Sequence, residues 1–174
     1  PHTEARTVVD MHVAIHSGVA FTDADLLLKS LHSNADMLKE RGMVLYGPRR
    51  YRQAFKTPLN ALETDMPPGV DGLRKVLPED PAIDRAILSC PDYVGEIQTA
   101  IRDGQYYPRA GARMSFLAKA FEGHKIHLHL GLRNPASFIP KALMALPEQD
   151  RQSLLATTDL SCLSWLTMIE DIRE

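Results

Sequence analysis

Between residues 8 and 41 the apolar residues change period once, which restricts the chain to folds in which a strand leads through a tight loop into a helix. Val8-Val9-Asp10-Met11-His12-Val13-Ala14-Ile15 is dense in β-branched and apolar types, the make-up of a largely buried strand. From Asp23 onward Leu27, Leu31, Ala35 and Leu38 recur at helical spacing, with Lys29, Asp36, Lys39 and Glu40 between them. Thr22 is placed to cap that helix, Asp23 and Asp25 enter its first turn, and Gly42 sits where a left-handed residue would end it.

The same alternation continues. Residues 43 to 46 predict a short strand before Gly47-Pro48, and Arg49 to Leu62 a helix interrupted near Pro58. Pro67-Pro68-Gly69 and Pro78 to Pro81 read as loops, and Ala86-Ile87-Leu88-Ser89 as a buried parallel strand. Helices are expected over 95–102 and 110–121, a strand over 124–132, a helix from Asn134-Pro135 to about Leu146 with a kink at Pro140, and a closing helix over 161–172. Strands alternating with helices predict one α/β domain over residues 1–174, a three-layer α/β/α arrangement around a mainly parallel sheet. In such sheets ligands bind beyond the carboxyl ends of the strands, so the loops after Ile15, Ser89 and Leu132 should share one functional edge.

Composition narrows the functional classes. With 174 residues, 44% of them hydrophobic and 24% charged, the chain suits a single well-filled core. A formal net charge of −2 argues against a dedicated nucleic-acid binder, which carries a basic excess. Cys90 and Cys162 stand far apart and outside any CxxC spacing, so neither a disulfide framework nor a zinc-thiolate site is expected. No apolar run approaches the roughly 20 residues of a membrane span and no secretory signal core opens the chain, which predicts a cytoplasmic protein without membrane contact. The chain begins at Pro1 without methionine and stops inside an amphipathic helix, the pattern of a C-terminally truncated piece of something longer.

Three segments at the expected edge resemble bacterial members of the sulfotransferase family. Ile15-His16-Ser17-Gly18-Val19-Ala20-Phe21-Thr22-Asp23-Ala24-Asp25-Leu26-Leu27 is similar to the family's opening phosphate-loop pattern, Leu-His-x-Gly-x-His-Lys-Thr-Gly-Thr-Thr-x-Leu. Ile87-Leu88-Ser89-Cys90-Pro91-Asp92-Tyr93-Val94-Gly95 is similar to a family segment Leu-Ser-Asp-Glu-Asn-x-x-Gly, and Leu132-Arg133-Asn134-Pro135-Ala136-Ser137-Phe138-Ile139-Pro140 to the Arg-x-Pro segment that receives the 3′-phosphate of the donor. Together these span about residues 8 to 146 in the family's order. The resemblance implies a P-loop nucleoside-triphosphate-type fold and, for an intact member, sulfuryl transfer from 3′-phosphoadenosine 5′-phosphosulfate to a hydroxyl or amine.

Residue by residue, the donor site is degenerate. A phosphosulfate loop aims backbone N–H groups and a lysine at the anion, at a helix N-terminus that favours negative charge. Here the lysine position holds Phe21, and the glycine and threonines that follow are Asp23, Ala24 and Asp25, two carboxylates that repel an incoming phosphate. Gly18 and Thr22 remain of the loop signature, Arg133 remains in the third segment, and the family's serine there is Lys141. Pro91 stands where the family has an acidic residue, with Asp92 beside it as a substitute base and His16 at the end of the first strand as the other catalytic candidate. The expectation is a non-catalytic or repurposed member that binds an anionic ligand or a protein partner. The alternatives are an active sulfotransferase using Arg133, Lys141 and Arg49 or Arg52 in a non-standard donor site, or an assembly subunit.

The remaining constellations read as structural first. His12 and His16 share one strand face and His127 and His129 another, but no carboxylate or cysteine stands at a ligand spacing, so hydrogen-bonded histidines are expected and no metal. Arg49-Arg50-Tyr51-Arg52 with Lys56 reads as a solvated basic helix face, with an acidic ligand as the functional reading. Tyr106-Tyr107 before Pro108 reads as a packed loop, with a pocket lining as the alternative.

Overall fold

The computed structural model describes residues 10–22, 24–64 and 69–174. Four strands, β1 (His12–Gly18), β2 (Met43–Tyr46), β3 (Arg85–Ser89) and β6 (Lys125–Gly131), form an all-parallel sheet in the order β2-β3-β1-β6. A two-stranded antiparallel ribbon, β4 (Ile101–Arg102) and β5 (Gln105–Tyr106), stands apart from it. The helices are α1 (Ala24–Ser33), α2 (Ala35–Glu40), α3 (Pro48–Arg50), α4 (Lys56–Ala61), α5 (Asp71–Arg74), α6 (Ala110–Ala120), α7 (Pro135–Met144), α8 (Glu148–Thr157) and α9 (Trp165–Arg173). Among the described residues no helix is long and apolar enough to cross a membrane.

The parallel sheet and the α/β class agree with the periodicity. β1 runs between β3 and β6, pairing His16 with Ser89 on one side and with His129 on the other. Its connection leads past β3 to β2, while the connection from β3 leads past β1 to β6. The two central strands thus send their loops in opposite directions, the switch point at which α/β sheets open a crevice. Along one face Val13, Ile15, Ala86 and Leu88 are buried against a core that includes Tyr51, Phe55, Leu59, Leu117 and Phe121.

The opposite face departs from the three-layer expectation. α2 lies against β2, and Leu28 and His32 of α1 approach Gly47, so the second layer reaches only that margin. Over β1 and β6 the described residues leave a depression of about 360 Å³ lined by His12, Ala14, Arg85, His127 and His129. The physical reason lies in the pattern: Lys125, His127 and His129 are exposed while Ile126, Leu128 and Leu130 are half-buried, the alternation of a strand with one wet face.

Local structure differs from expectation at four places. The first helix breaks at Asn34, whose amide donates to the Ser30 carbonyl at 2.7 Å, so that α2 starts a new helix capped by Gly42 at φ +72°. The interruption after Arg49 is a π-helical turn over Tyr51–Phe55 that runs directly into α4, with Pro58 as the third residue of α4. Residues 95–102 carry a short 3₁₀ turn and the β4 strand rather than a helix. α8 has no signature in the sequence, because its apolar residues make no stripe; none of its side chains is buried.

Candidate functional site

The loop that follows β1 is closed by hydrogen bonds to its own backbone and to residues elsewhere in the chain. Val19 N–H donates to the Gly131 carbonyl at 2.9 Å and Thr22 N–H to the Val19 carbonyl at 3.3 Å. The Thr22 hydroxyl donates back to that same Val19 carbonyl at 2.8 Å. α1 begins at Ala24, two residues after Thr22, whose hydroxyl closes the turn on Val19. Gly18 is required by this closure, since a Cβ there would lie 2.0 Å from Thr22 Oγ1. Asp23 lies outside the described residues, as does the side chain of Asp25, so their expected capping lies outside them too.

A further partner of the loop comes from a distant part of the chain. Ala20 N–H donates to the buried Tyr107 hydroxyl at 3.0 Å. Burial pushes that phenol well above its ordinary pKa, and the Ala20 N–H only partly offsets this. Tyr107 is held there at φ +45°, and Phe21 turns the loop at φ +65°, two left-handed residues that are not glycine. The Tyr106 ring stacks on Trp165 with centroids 3.9 Å apart, so the tyrosine pair is the packed loop, with one hydroxyl committed to the β1 loop.

Arg133 and Lys141 do converge on this loop. Arg133 donates from Nη1 to the Phe21 carbonyl and from Nε to the Ser137 hydroxyl at 2.9 Å, while its own carbonyl accepts from Trp165 Nε1 at 2.8 Å. Its fork therefore bridges the β1 loop and α7, which Asn134 caps by accepting from Ala136 N–H. The Lys141 ammonium lies 5.6 Å from the centroid of the Phe21 ring.

A second set of groups gathers after β3. Ser17, fully buried, donates to the Pro91 carbonyl at 2.9 Å and accepts from Val94 N–H at 3.3 Å, tying the two loops together. Arg113, also fully buried, donates to the carbonyls of Tyr93 (3.0 Å), Asp92 (2.9 Å) and Leu59 (3.3 Å), and to the Tyr51 hydroxyl at 2.9 Å. Asn60 Oδ1 at 3.3 Å and the Glu63 carboxylate at 3.4 Å complete its shell. With every direction used, Arg113 is a clamp on this loop rather than a ligand group.

Asp92 lies at the rim of that clamp. Burial raises its pKa and Glu96 adds to the rise, against Arg113, Lys56 and Arg52. The Cys90 thiol points at it with 4.0 Å between Sγ and Oδ2, and burial pushes the thiol up to about 12, so it stays protonated. Burial works to raise Glu96 too, but Asn60 and the Lys56 ammonium at 3.0 Å outweigh it and the carboxyl is lowered. Arg49 and Arg52 are exposed, and among the described residues neither makes an ion pair; Arg52 is the nearer to Asp92 and Cys90. Tyr51 is buried in the core, so the basic helix face has no aromatic at its centre.

His16 lies near the carboxyl end of β1, in register with the last residue of β3. Its Nδ1 is hydrogen-bonded to the buried Ser89 hydroxyl at 2.9 Å, and burial followed by the charge of His129 lowers its pKa. The four histidines share the open sheet face, with the His12 and His127 rings stacked at 6.0 Å. Among the described residues no three metal-ligating side chains come together. Sequence reasoning misses Arg113, Ser17 and the hydroxyl of Tyr107. Only Arg113 carries a signal, a lone cation on the stripe Ala110, Met114, Leu117 and Phe121. No family model, curated protein or solved structure matches the chain.

Proposed function

We propose that the chain is a sulfotransferase-like domain whose donor loop has been closed by its own side chains, and that it binds an anionic ligand or acidic partner without transferring a sulfuryl group. The observation that carries this reading is the Tyr107 hydroxyl on Ala20 N–H, which removes a donor a phosphate oxygen would need. Phe21 in place of the lysine and the hold of Arg133 on the Phe21 carbonyl support it. The cations left exposed along the edge, Arg49, Arg52 and Lys141, are those available to an acidic ligand. Calorimetric titration with 3′-phosphoadenosine 5′-phosphate tests the reading: no heat of binding is expected, and micromolar affinity overturns it. Pyrophosphate should bind weakly, with a salt dependence that the double variant Arg49→Glu/Arg52→Glu removes.

A second reading, sulfuryl transfer through a non-standard site, is favoured by Asp92, a half-buried carboxyl of raised pKa beside Arg52. It requires Arg133 to leave the Phe21 carbonyl. Transfer to any member of a broad hydroxyl and amine panel, abolished by Arg133→Ala, would establish it.

A further inference from the structure

α9 reaches the β1 loop by two routes, and both start at Trp165, the chain's only tryptophan. Along the first, Trp165 Nε1 donates to the Arg133 carbonyl at 2.8 Å, and the Arg133 guanidinium donates in turn to the Phe21 carbonyl. Along the second, the Trp165 ring lies at 23° to the Tyr107 ring with centroids 6.4 Å apart, and Tyr107 carries the hydroxyl that receives Ala20 N–H. Tyr106, stacked on the same indole at 3.9 Å, and Phe138, edge-on to it at 5.0 Å, fill in around the second route. Two consecutive loop residues are thus held from outside the loop through one side chain of α9.

Both routes end on backbone that needs support. Tyr107 stands at φ +45° and Phe21 at φ +65°, conformations that a residue other than glycine keeps only where its neighbours over-determine them. Tyr107 is also wedged against Gly95, where a Cβ would lie 2.7 Å from Tyr107 Cδ1. The helix that supplies the support is itself lightly seated. Met168 is its one buried residue, Leu166 is exposed, and Trp165, Ile169 and Ile172 are half-buried. Its last turns rest on α6 at Gly111, where a Cβ would come within 2.4 Å of the Asp171 carbonyl oxygen. Elements with few buried contacts open at a lower free energy than the core.

We infer that α9 is a strap that holds the β1 loop closed, and that its detachment releases Ala20 N–H and the Arg133 guanidinium together. These donors follow β1 and β6, at the carboxyl ends of the strands where parallel sheets bind ligands, so the seating of α9 decides whether that edge offers them. This holds independently of what the loop binds.

Native-state hydrogen exchange on the whole chain, in urea below the unfolding transition, tests the proposal. The amides of α9 and of Ala20 are expected to open in one step with a common urea dependence, more readily than those of β1 and β3. Trp165→Phe keeps a ring against the tyrosines but removes the indole donor, which weakens the seating of α9 and should speed exchange at Ala20 about fivefold. Trp165→Ala removes ring and donor and should speed it about thirtyfold. Gly111→Ala touches neither route, yet by lifting α9 from α6 it should speed Ala20 as well. In all three variants exchange in β1 and β3 should stay as in the parent chain. The proposal is overturned if α9 opens while Ala20 remains protected, or if the variants leave Ala20 unchanged. Equal acceleration of every amide overturns it too, since α9 would then detach only when the whole chain unfolds.

Discussion

The loop after β1 and the loop after β3 meet at Ser17, yet they are closed in different ways. The first is sealed by neutral groups: a threonine folded over Gly18 and a tyrosine hydroxyl on Ala20 N–H. The second is held by a buried guanidinium that reaches three carbonyls, a phenol, an amide and a carboxylate. Neutral seals contribute about 1 kcal/mol each and can be removed singly, whereas stripping a saturated buried cation orphans several acceptors at once. One loop is held by seals that single changes can open. The other is a fixed platform that presents Asp92 and leaves Arg52 exposed beside it.

The contrast predicts a graded series. Arg113→Leu should cost about 3–5 kcal/mol, read as a lowered midpoint in urea, because the carbonyls of Leu59, Asp92 and Tyr93 lose their donor. A loss below 1 kcal/mol would mean that water replaces the guanidinium and that the platform is not fixed by charge. Gly18→Ala should cost about 1–3 kcal/mol through the clash with Thr22 Oγ1, and Thr22→Ala in the same chain should recover most of it. Additive effects in that double-mutant cycle would show that the threonine does not lie over the glycine.

Tyr107→Phe should cost about 1 kcal/mol and speed hydrogen exchange at the Ala20 amide, since only the hydroxyl seal is lost. Unchanged exchange would place the seal elsewhere. The smallest effect belongs to Asp92. Its folded pKa is raised above 3.8, so the native state binds more protons than the unfolded chain in the window above that value, and stability falls there as pH rises. Asp92→Asn should flatten this decline in denaturant midpoints measured from pH 3.5 to 6.5. A steeper decline would contradict the burial that raises the carboxyl.

Much of the fold is legible in the order of residues. β-branched density and helical spacing locate β1, β3, β6, α6 and α7, because in each the more buried residues follow the period of the element itself; β2 is found from its apolar run alone, since its four residues are equally half-buried. The short pieces are harder to read: residues 101–106 turn as a ribbon because Asp103 and Gly104 both take positive φ, a local Asp-Gly turn signal that the helical reading of 95–102 passes over. The uncovered sheet face also runs against the three-layer expectation, although the alternation of histidines in β6 already marks one wet side.

The candidate site divides along the same line. Sequence alone supplies Phe21 in the loop after β1, and Arg133 and Lys141 at and beyond the end of β6, since these are matters of residue identity in order. It also determined the parallel α/β plan, which depends on local periodicity. Only tertiary structure decided what the Ala20 N–H meets: Tyr107 lies 87 positions from Ala20, and no local pattern announces where its hydroxyl will point. Arg113 is the same case, a cation whose acceptors lie 20 to 62 residues away and exist as one shell only after the chain has folded. Long-range satisfaction of buried polar groups is a property of packing, and packing is where this protein closed one loop and fixed the other.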